Sequence, residues 1–369
     1  MEKKNKSITL FTLALPLLLL SFLLYIFNYH PVPYEQNEFT DSIEKGGEWF
    51  LNNQNEDFIY YEYNFVKEEH PDKSHSMREM GALWSITQIY NFTKDNRYRT
   101  LAEKGFGYFE KSFKEDKQDN YYYVNVTPQK IKLGYNAFMI LSLLEIEHPR
   151  KEEYLEKFAS GIMYQQNEDG ELRTFFYSDR ETGKDYYPGE ALVSLMALYE
   201  YTNDEQYLNT VQKAFPHYRD YFQSNPNTAF VPWQSRAYCK LYQATEDPEV
   251  ADFVFEMNDY MLDQNMPQAE CSDFAFPRGI VTAVFMEGVV QAYKVADQAG
   301  DEERKQCYKN FVQEATQYTM DLQIMDVENY TKEAIGGFKG GADSDNMRVD
   351  RNQHAVMAII EAYELGLLN

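Results

Sequence analysis

Polar and apolar positions along the chain recur with the period of a helix, in two kinds of segment. Residues 204–222, DEQYLNTVQKAFPHYRDYF, place their apolar side chains on one face, which predicts an amphipathic helix with a solvated face. Residues 187–201 are apolar around most of the circumference, which predicts a helix buried on all sides. The two kinds alternate along the chain, so the pattern predicts hairpins that each pair a buried helix with an amphipathic one.

Short connectors repeat between these segments, which indicates a repeated structural unit. One connector has the pattern Y-x-x-T-x-D, with a helix-starting Asp at its end, and a second element closes amphipathic helices with Gln-Asn and a turn. The copies of the first are YNFTKD (90–95), YEYTND (199–204), YQATED (242–247) and, more loosely, AYKVAD (292–297). The copies of the second are LNNQNEDF (51–58), MYQQNEDG (163–170) and MLDQNM (261–266).

Placing all the helices predicts a closed ring. The buried inner helices are predicted to begin near Arg78, Leu133, Gly189, Gln234, Gly279 and Arg351, and the outer helices to cover 96–113, 150–165, 204–222, 248–264 and 301–324. An inner helix at 351–366 and an N-terminal helix at about 40–54 are left without partners, and pairing them closes the ring. We therefore predict an all-α domain over residues 31–369, an (α/α)6 toroid of about six hairpins rather than a linear solenoid.

The hairpin with its Q-N-E-D-G turn and the Y-x-x-T-x-D connector resemble those of the six-hairpin glycosidase superfamily, over about residues 40–366. This superfamily of (α/α)6 toroids includes glycoside hydrolases, polysaccharide lyases and sugar epimerases, so the resemblance implies a carbohydrate-active enzyme. Terpenoid cyclases share a related toroid, but their cavity should be apolar. The motifs identify no single enzyme family, and a fold alone does not determine a function.

The N-terminal segment has the features of a membrane anchor. Residues 8–27, ITLFTLALPLLLLSFLLYIF, carry no charge over a length that can span a bilayer. Lysines precede this segment and none follows it until Lys45, which orients the N-terminus towards the cytoplasm. We predict a cytoplasmic stub and transmembrane signal anchor in residues 1–30, with the toroid on the extracytoplasmic side. Removal of the anchor after export is the alternative.

Composition and charge exclude several classes of function. The 369 residues carry a formal net charge of −24, and such a field repels phosphate backbones, so we predict no nucleic-acid partner. The three cysteines match no metal spacing, and buried free thiols are favoured over a disulfide bridge. No phosphate-binding, dinucleotide-binding or zinc motif is present, so we predict neither a metal nor a cofactor.

Polar side chains recur where the inner helices begin, and in a toroid these positions surround the mouth of the central cavity. An acid such as Glu190 in a first turn can be explained by the helix dipole and by free backbone N–H groups. Arginines at the equivalent starts oppose the same dipole, so capping does not explain the set. The predicted substrate-binding residues are Arg78, Tyr135, Asn136, Tyr187, Trp233, Arg236, Arg278 and Asp345.

The glycine-rich segment 335–356, IGGFKGGADSDNMRVDRNQHAV, supplies further candidates. Asp350 and His354 are four residues apart and therefore share a helical face. One hypothesis makes the segment a lid that carries an acid or a base. The other makes it an exposed turn with Asp350 as the N-cap of the last helix.

The predicted catalytic residues are Glu190, Asp350 and His354. A glycosidase needs two carboxylates, which Glu190 could supply with Asp350 or Asp345. A uronate lyase or sugar epimerase needs a His, Tyr or Asn for proton transfer and an Arg for the sugar carboxylate. Hydrolysis of an oligo- or polysaccharide by a carboxylate pair is favoured. Lyase or epimerase chemistry, or a non-catalytic saccharide-binding toroid in envelope polysaccharide handling, remain as alternatives.

Overall fold

Helices alternate with short connectors through the part of the chain that the computed structural model describes, which is residues 36–126, 130–263, 271, 274, 276–277 and 279–368. The predicted membrane anchor at 8–27 and the candidate Arg278 lie outside these residues. Within them, no helix is both long enough and apolar enough to cross a bilayer. Residues 36–369 form one compact unit.

Twelve helices are present in the described residues, and they alternate between outer and inner positions. The outer helices are α1 (Gln36–Asn52), α3 (Asn96–Glu110), α5 (Lys151–Tyr164), α7 (Glu205–Ser224), α9 (Pro248–Asp263) and α11 (Glu302–Met320). The inner helices are α2 (Ser76–Thr93), α4 (Leu133–Glu145), α6 (Tyr187–Thr202), α8 (Val231–Thr245), α10 (Val281–Ala299) and α12 (Val349–Glu364). Each predicted element is present, with bounds that differ by a few residues.

The inner helices form a closed ring, as predicted. Each contacts the next in chain order, and α12 contacts α2. The two helices left over from the hairpins, α1 and α12, pack together. The inner helices are nearly uniformly apolar because they are covered on both sides, by one another and by the outer ring.

The Y-x-x-T-x-D connectors have one repeated geometry. In the first copy, Lys94 adopts a left-handed conformation that ends α2, and the Thr93 hydroxyl donates to the Ile89 carbonyl. The Asp95 side chain then accepts from the Arg97 backbone N–H and caps α3. Asn203 and Glu246 are left-handed at the equivalent positions of the other two copies. The repeat noted in the sequence is therefore a helix stop followed directly by an N-cap.

Two small antiparallel sheets were not predicted. In one, β1 (Glu62–Asn64) pairs with β4 (Asn346–Arg348). In the other, β2 (Phe113–Asp116) pairs with β3 (Tyr121–Val124). Strands of three or four residues are too short for an alternating pattern to be recognised. The β1–β4 pair joins the loop before α2 to the glycine-rich segment before α12.

The favoured prediction that the cysteines are free thiols is wrong for two of them. Cys271 and Cys307 form a disulfide bond, and Cys239 is free and buried in α8. Cys307 belongs to α11, and Cys271 lies in the connection that precedes α10. A separation of 36 residues gave no sign in the sequence that the two side chains meet.

Candidate active site

A cavity of about 330 Å³ opens among the N-terminal ends of the inner helices. A second cavity of about 340 Å³ adjoins it and shares five of its lining residues. The first is lined by His75, Met77, Arg78, Lys132, Phe138, Tyr186, Tyr187, Glu190, Trp233, Asp350, Gln353 and His354. The three candidate catalytic residues therefore face one space, together with the candidates Arg78, Tyr187 and Trp233.

Glu190 brings an unpaired carboxyl group to this cavity. It lies in the first turn of α6, and its side chain is buried, with the residue only 5% exposed. Its Oε2 atom has no hydrogen-bond partner. Burial raises the pKa of Glu190 to about 8, although the nearby Lys132 ammonium acts in the opposite direction. Near neutral pH the group is therefore mostly the protonated acid, which can donate a proton.

Asp350 is the second carboxyl group in the cavity and is held as an ion pair. Its two oxygens accept from Arg348, Nε at 3.0 Å and Nη2 at 2.8 Å. Arg78 Nε lies 3.2 Å from Asp350 Oδ2, and Arg78 also bonds the Tyr61 hydroxyl. The alternative of Asp350 as N-cap is wrong: Arg348 occupies the N-cap position of α12, and no side-chain hydrogen bond caps it.

His354 is backed by a chain of buried charges. Its Nδ1 lies 2.7 Å from Glu287 Oε2, and Glu287 Oε1 accepts from Arg236 at 3.1 Å. Arg236 also bonds Glu361, on the far side from His354. Burial alone would lower the pKa of His354, but the Glu287 carboxylate outweighs it and raises that pKa above its ordinary value. The arrangement orients the imidazole and stabilises its protonated form.

Aromatic side chains complete the cavity. Trp233 lies 5.6 Å from Phe138 and 6.4 Å from His354 between ring centroids, so it forms an apolar wall beside the histidine. The Tyr187 ring lies 5.5 Å from Lys132 Nζ. Tyr186 is 45% exposed at the rim. Flat apolar surfaces beside acids and hydrogen-bond donors suit the two faces of a sugar ring.

Four predicted binding residues lie elsewhere, so their expected place at the mouth is corrected. Asn136 points outward, and its Nδ2 donates to the Tyr122 and Phe158 carbonyls. Arg236 is only 5% exposed, is paired as described above, and lines a separate cavity of about 420 Å³ at the opposite ends of the inner helices. The remaining two are Tyr135, buried against Lys132, and Asp345, exposed and bonded by Asn64 Nδ2.

Sequence reasoning missed Lys132 and Glu287. Lys132 is the N-cap residue of α4 and sits beside an apolar helix, where one lysine carries little signal. Glu287 was detectable, because it is an acid in the middle of the apolar segment VTAVFMEGVV and is only 1% exposed. An acid at a fully buried helical position needs partners. Here Arg236 contacts one oxygen of Glu287 and His354 contacts the other.

Solved structures with the same fold include enzymes that act on sugars. A D-mannose isomerase superposes with a TM-score of 0.67 at 14% identity, over 91% of this chain and 100% of the isomerase. An inactive variant of an α-1,6-mannanase of Salegentibacter, in complex with α-1,6-mannotriose, superposes with a TM-score of 0.64 at 11% identity, over 90% and 100%. A cellobiose 2-epimerase from Bacillus thermoamylovorans gives 0.63 at 14% identity, over 89% and 99%.

No protein-family model and no curated protein sequence matches the chain. The three structural neighbours named above belong to the six-hairpin glycosidase-like superfamily. The resemblance drawn from the connectors is therefore confirmed, and at these identities the likeness is one of fold.

Proposed function

We propose that this chain is a carbohydrate-active enzyme, and specifically a glycoside hydrolase in which Glu190 is the general acid. The observation that carries the proposal is the buried, unpaired carboxyl group of Glu190, with its pKa raised to about 8, on the wall of the central cavity. Protonation of the glycosidic oxygen requires a carboxylic acid that keeps its proton near neutral pH.

Asp350 supplies the second carboxyl group of the proposed pair. Asp350 forms ion pairs with Arg78 and Arg348, whereas Glu190 forms none among the described residues and its pKa is raised by burial. Two carboxyl groups in contrasting environments are typical of an acid and its partner base or nucleophile. We assign Asp350 to the face of the sugar opposite Glu190, where it acts on water or on the anomeric carbon. Trp233 and Tyr187 are the proposed sugar-binding surfaces.

A second candidate function is isomerisation or epimerisation of a sugar, which the His354–Glu287 pair favours. Its 2.7 Å contact orients the imidazole for proton transfer at a sugar carbon, with Glu190 supplying a proton to oxygen. The superfamily contains both kinds of chemistry, and the solved neighbours include an isomerase, a mannanase and an epimerase.

Turnover in D₂O separates the two chemistries. We would incubate the purified full-length chain with mannose, cellobiose and α-1,6-mannotriose, and measure reducing ends together with carbon-bound deuterium by NMR. Hydrolysis releases reducing ends and leaves the carbon-bound hydrogens unlabelled. Isomerisation or epimerisation through proton abstraction exchanges a carbon-bound hydrogen for solvent deuterium. Deuterium incorporation without new reducing ends would replace hydrolysis by the second candidate.

Glu190→Gln tests the role of the acid, and Glu79→Gln is its matched control. Glu79 is also buried in the first turn of an inner helix but faces a different cavity. We expect Glu190→Gln to lower kcat by about a hundredfold or more, with Glu79→Gln close to the parent. Equal activity of the two variants would contradict the assignment. Saccharide binding without any turnover would favour the non-catalytic binding toroid.

We also propose that the toroid is exported and anchored by residues 8–27. The uncharged segment preceded by lysines supports this orientation, and so does the Cys271–Cys307 disulfide, since such bonds persist in oxidising compartments. Protease added outside intact cells should degrade the toroid, while a cytoplasmic marker protein survives. Protection of the toroid until the membrane is opened would contradict export.

A further inference from the structure

The cavity mouth is cationic in a protein whose overall charge is −24. The side chains lining the two adjoining cavities include Arg78, Lys132, Arg348 and Arg351. Among the described residues that line them, the acids are Glu190, which is mostly protonated, and Asp350. The mouth therefore has four cations and the single ion-paired acid Asp350. The charge of His354 is left out of this count because the Glu287 carboxylate balances it.

Two of these cations have no carboxylate partner within the described residues. Arg351 donates to the Asn346 carbonyl at 3.0 Å and to Asn346 Oδ1 at 2.7 Å, both neutral groups. Lys132 lies over the Tyr135 and Tyr187 rings and forms no salt bridge in the described part of the chain. Burial is the main cause that lowers the pKa of each of them. Two partly buried cations are thus kept without a salt bridge in the described residues, although Asp350 and Glu62 act on Arg351, and Glu190 acts on Lys132, at longer range.

All four cations lie at helix N-termini, and Asp350 compensates only Arg78 and Arg348 among them. Arg78 and Arg351 lie in the first turns of α2 and α12, while Arg348 and Lys132 are the N-cap residues of α12 and α4. The positive end of a helix dipole disfavours a cation at its N-terminus. An anion placed between them would be attracted both by the side chains and by the helix ends.

Burial and the charges of Arg78 and Lys132 lower the pKa of the neighbouring His75, which lines the same cavity. Its Nδ1 is buried without a hydrogen-bond partner. The neutral imidazole can therefore serve as a further hydrogen-bonding group for a ligand at the mouth.

We propose that the substrate is an anionic saccharide, whose carboxylate or phosphate or sulfate ester binds at the cavity mouth that Arg351 and Lys132 line. This proposal rests on the proposed function for its site, and it adds a substrate class that the neutral sugars of the structural neighbours do not share. The planar guanidinium of Arg351 is suited to paired hydrogen bonds with a carboxylate or an ester oxyanion. Asp350 already pairs with Arg348 and Arg78, so the other two cations are left for the ligand.

Binding is tested in the full-length Glu190→Gln protein, in which proposed turnover is suppressed. The probes are D-glucuronate and D-galacturonate, mannose 6-phosphate, and neutral glucose and mannose, titrated by calorimetry at low and at about 150 mM salt. We expect an anionic probe to bind about tenfold or more tightly than its neutral counterpart, and less tightly at higher salt. Preference for the uronates or for the phosphate identifies the anion.

Three further substitutions and one control locate the anion. Arg351→Gln and Lys132→Gln should each weaken anion binding about tenfold, and Arg351→Lys should recover part of it. Lys294→Gln, which removes a half-buried cation from the opposite cavity, should leave it unchanged. Equal affinity for neutral and anionic sugars, or anion binding indifferent to both positions, would overturn the proposal.

The outcomes for substrate class and for catalysis are separable. If the parent protein turns over neutral sugars and anionic probes do not bind, the anionic class is overturned while the proposed enzyme stands. If anionic sugars bind at Arg351 and Lys132 but the parent converts no saccharide, the substrate-class proposal stands as a binding site and the enzymatic function fails.

Discussion

Glu79 and Glu190 occupy the same position in two inner helices but differ in the hydrogen bonding of their carboxyl groups. Each is the fourth residue of its helix, in α2 and α6, and both are buried. Glu79 Oε1 accepts from the His75 backbone N–H at 2.8 Å, which caps α2. Glu190 Oε2 accepts from nothing. Capping therefore accounts for the first acid, and the second is left with its carboxyl group available to a ligand.

Replacing Glu190 should make stability less dependent on pH. Its pKa is raised from 4.5 to about 8, so the folded state holds a proton that the unfolded state has lost, and the parent protein loses stability as pH rises through this range. At about 1.4 kcal/mol per pKa unit, the full penalty is on the order of 5 kcal/mol. The Glu190→Gln protein lacks this penalty. Its free energy of unfolding relative to the parent should therefore increase between about pH 5 and pH 9.

Urea denaturation at several pH values checks this expectation. The exposed Glu145 provides the control, because Glu145→Gln removes a carboxylate that stays in water. Its effect on the free energy of unfolding should be small and nearly the same at every pH. If the difference in free energy of unfolding between Glu190→Gln and the parent is equally independent of pH, Glu190 does not retain its proton in the folded protein.

Lys132 should set the alkaline limit of activity. Its charge lowers the pKa of Glu190 against the larger effect of burial. Lys132→Gln should therefore raise that pKa and move the alkaline limb of the kcat profile from near pH 8 to a higher pH. Lys130→Gln, at an exposed position two residues away, should leave the limb in place. A limb that moves to lower pH in Lys132→Gln would rule out Glu190 as the acid being titrated.

The Glu190 carboxyl group occupies space that a side chain at Gly134 would fill. A Cβ atom at Gly134 would overlap Glu190 Oε2 and the methyl group of Met77. Gly134→Ala should displace the carboxyl group and lower kcat by about tenfold or more. Gly107, in α3, has open space around its Cβ position, so Gly107→Ala should keep activity and add about 0.5–1 kcal/mol of stability. Full activity in Gly134→Ala would argue against a catalytic role for this carboxyl group.

Arg236 should matter to stability and to His354 rather than to substrate contact. Arg236→Gln leaves the buried Glu287 and the partly exposed Glu361 without their shared cation, at a cost of about 3–5 kcal/mol. Since Arg236 lowers the pKa of His354, its loss should also raise that pKa, as seen by NMR titration of the imidazole. Lys240→Gln breaks a more exposed pair with Glu200 and should cost under about 1 kcal/mol. Similar stability losses in Arg236→Gln and Lys240→Gln would contradict a stabilising role for the buried contacts among Arg236, Glu287 and His354.

The ring could be predicted from the sequence because its signals are local. Helical periodicity and the Thr and Asp of each connector depend on neighbours a few residues away, and Asp95 and Thr93 do in the structure what their spacing indicates. Glu190, Asp350 and His354 reach one cavity for the same reason, since they stand where inner helices begin.

The remaining features depend on direction and distance across the fold. Asn136 begins an inner helix too, yet its side chain turns towards the outer ring to bond Phe158 and Tyr122, and helical position alone does not reveal this. The Cys271–Cys307 bond and the β1–β4 pair join segments far apart in the chain. Such contacts leave no periodic pattern.

Closure of the ring has a consequence for the order of folding. The Gln323 side chain bonds Ser42 across 281 residues, and α12 must dock between α1 and α2 before the inner ring is complete. Contacts of such sequence separation carry a large loop-closure entropy and form late and slowly. Because α12 carries Asp350 and His354, the cavity wall is finished only at that step. A polypeptide still emerging from the ribosome therefore holds five inner helices and an incomplete cavity wall.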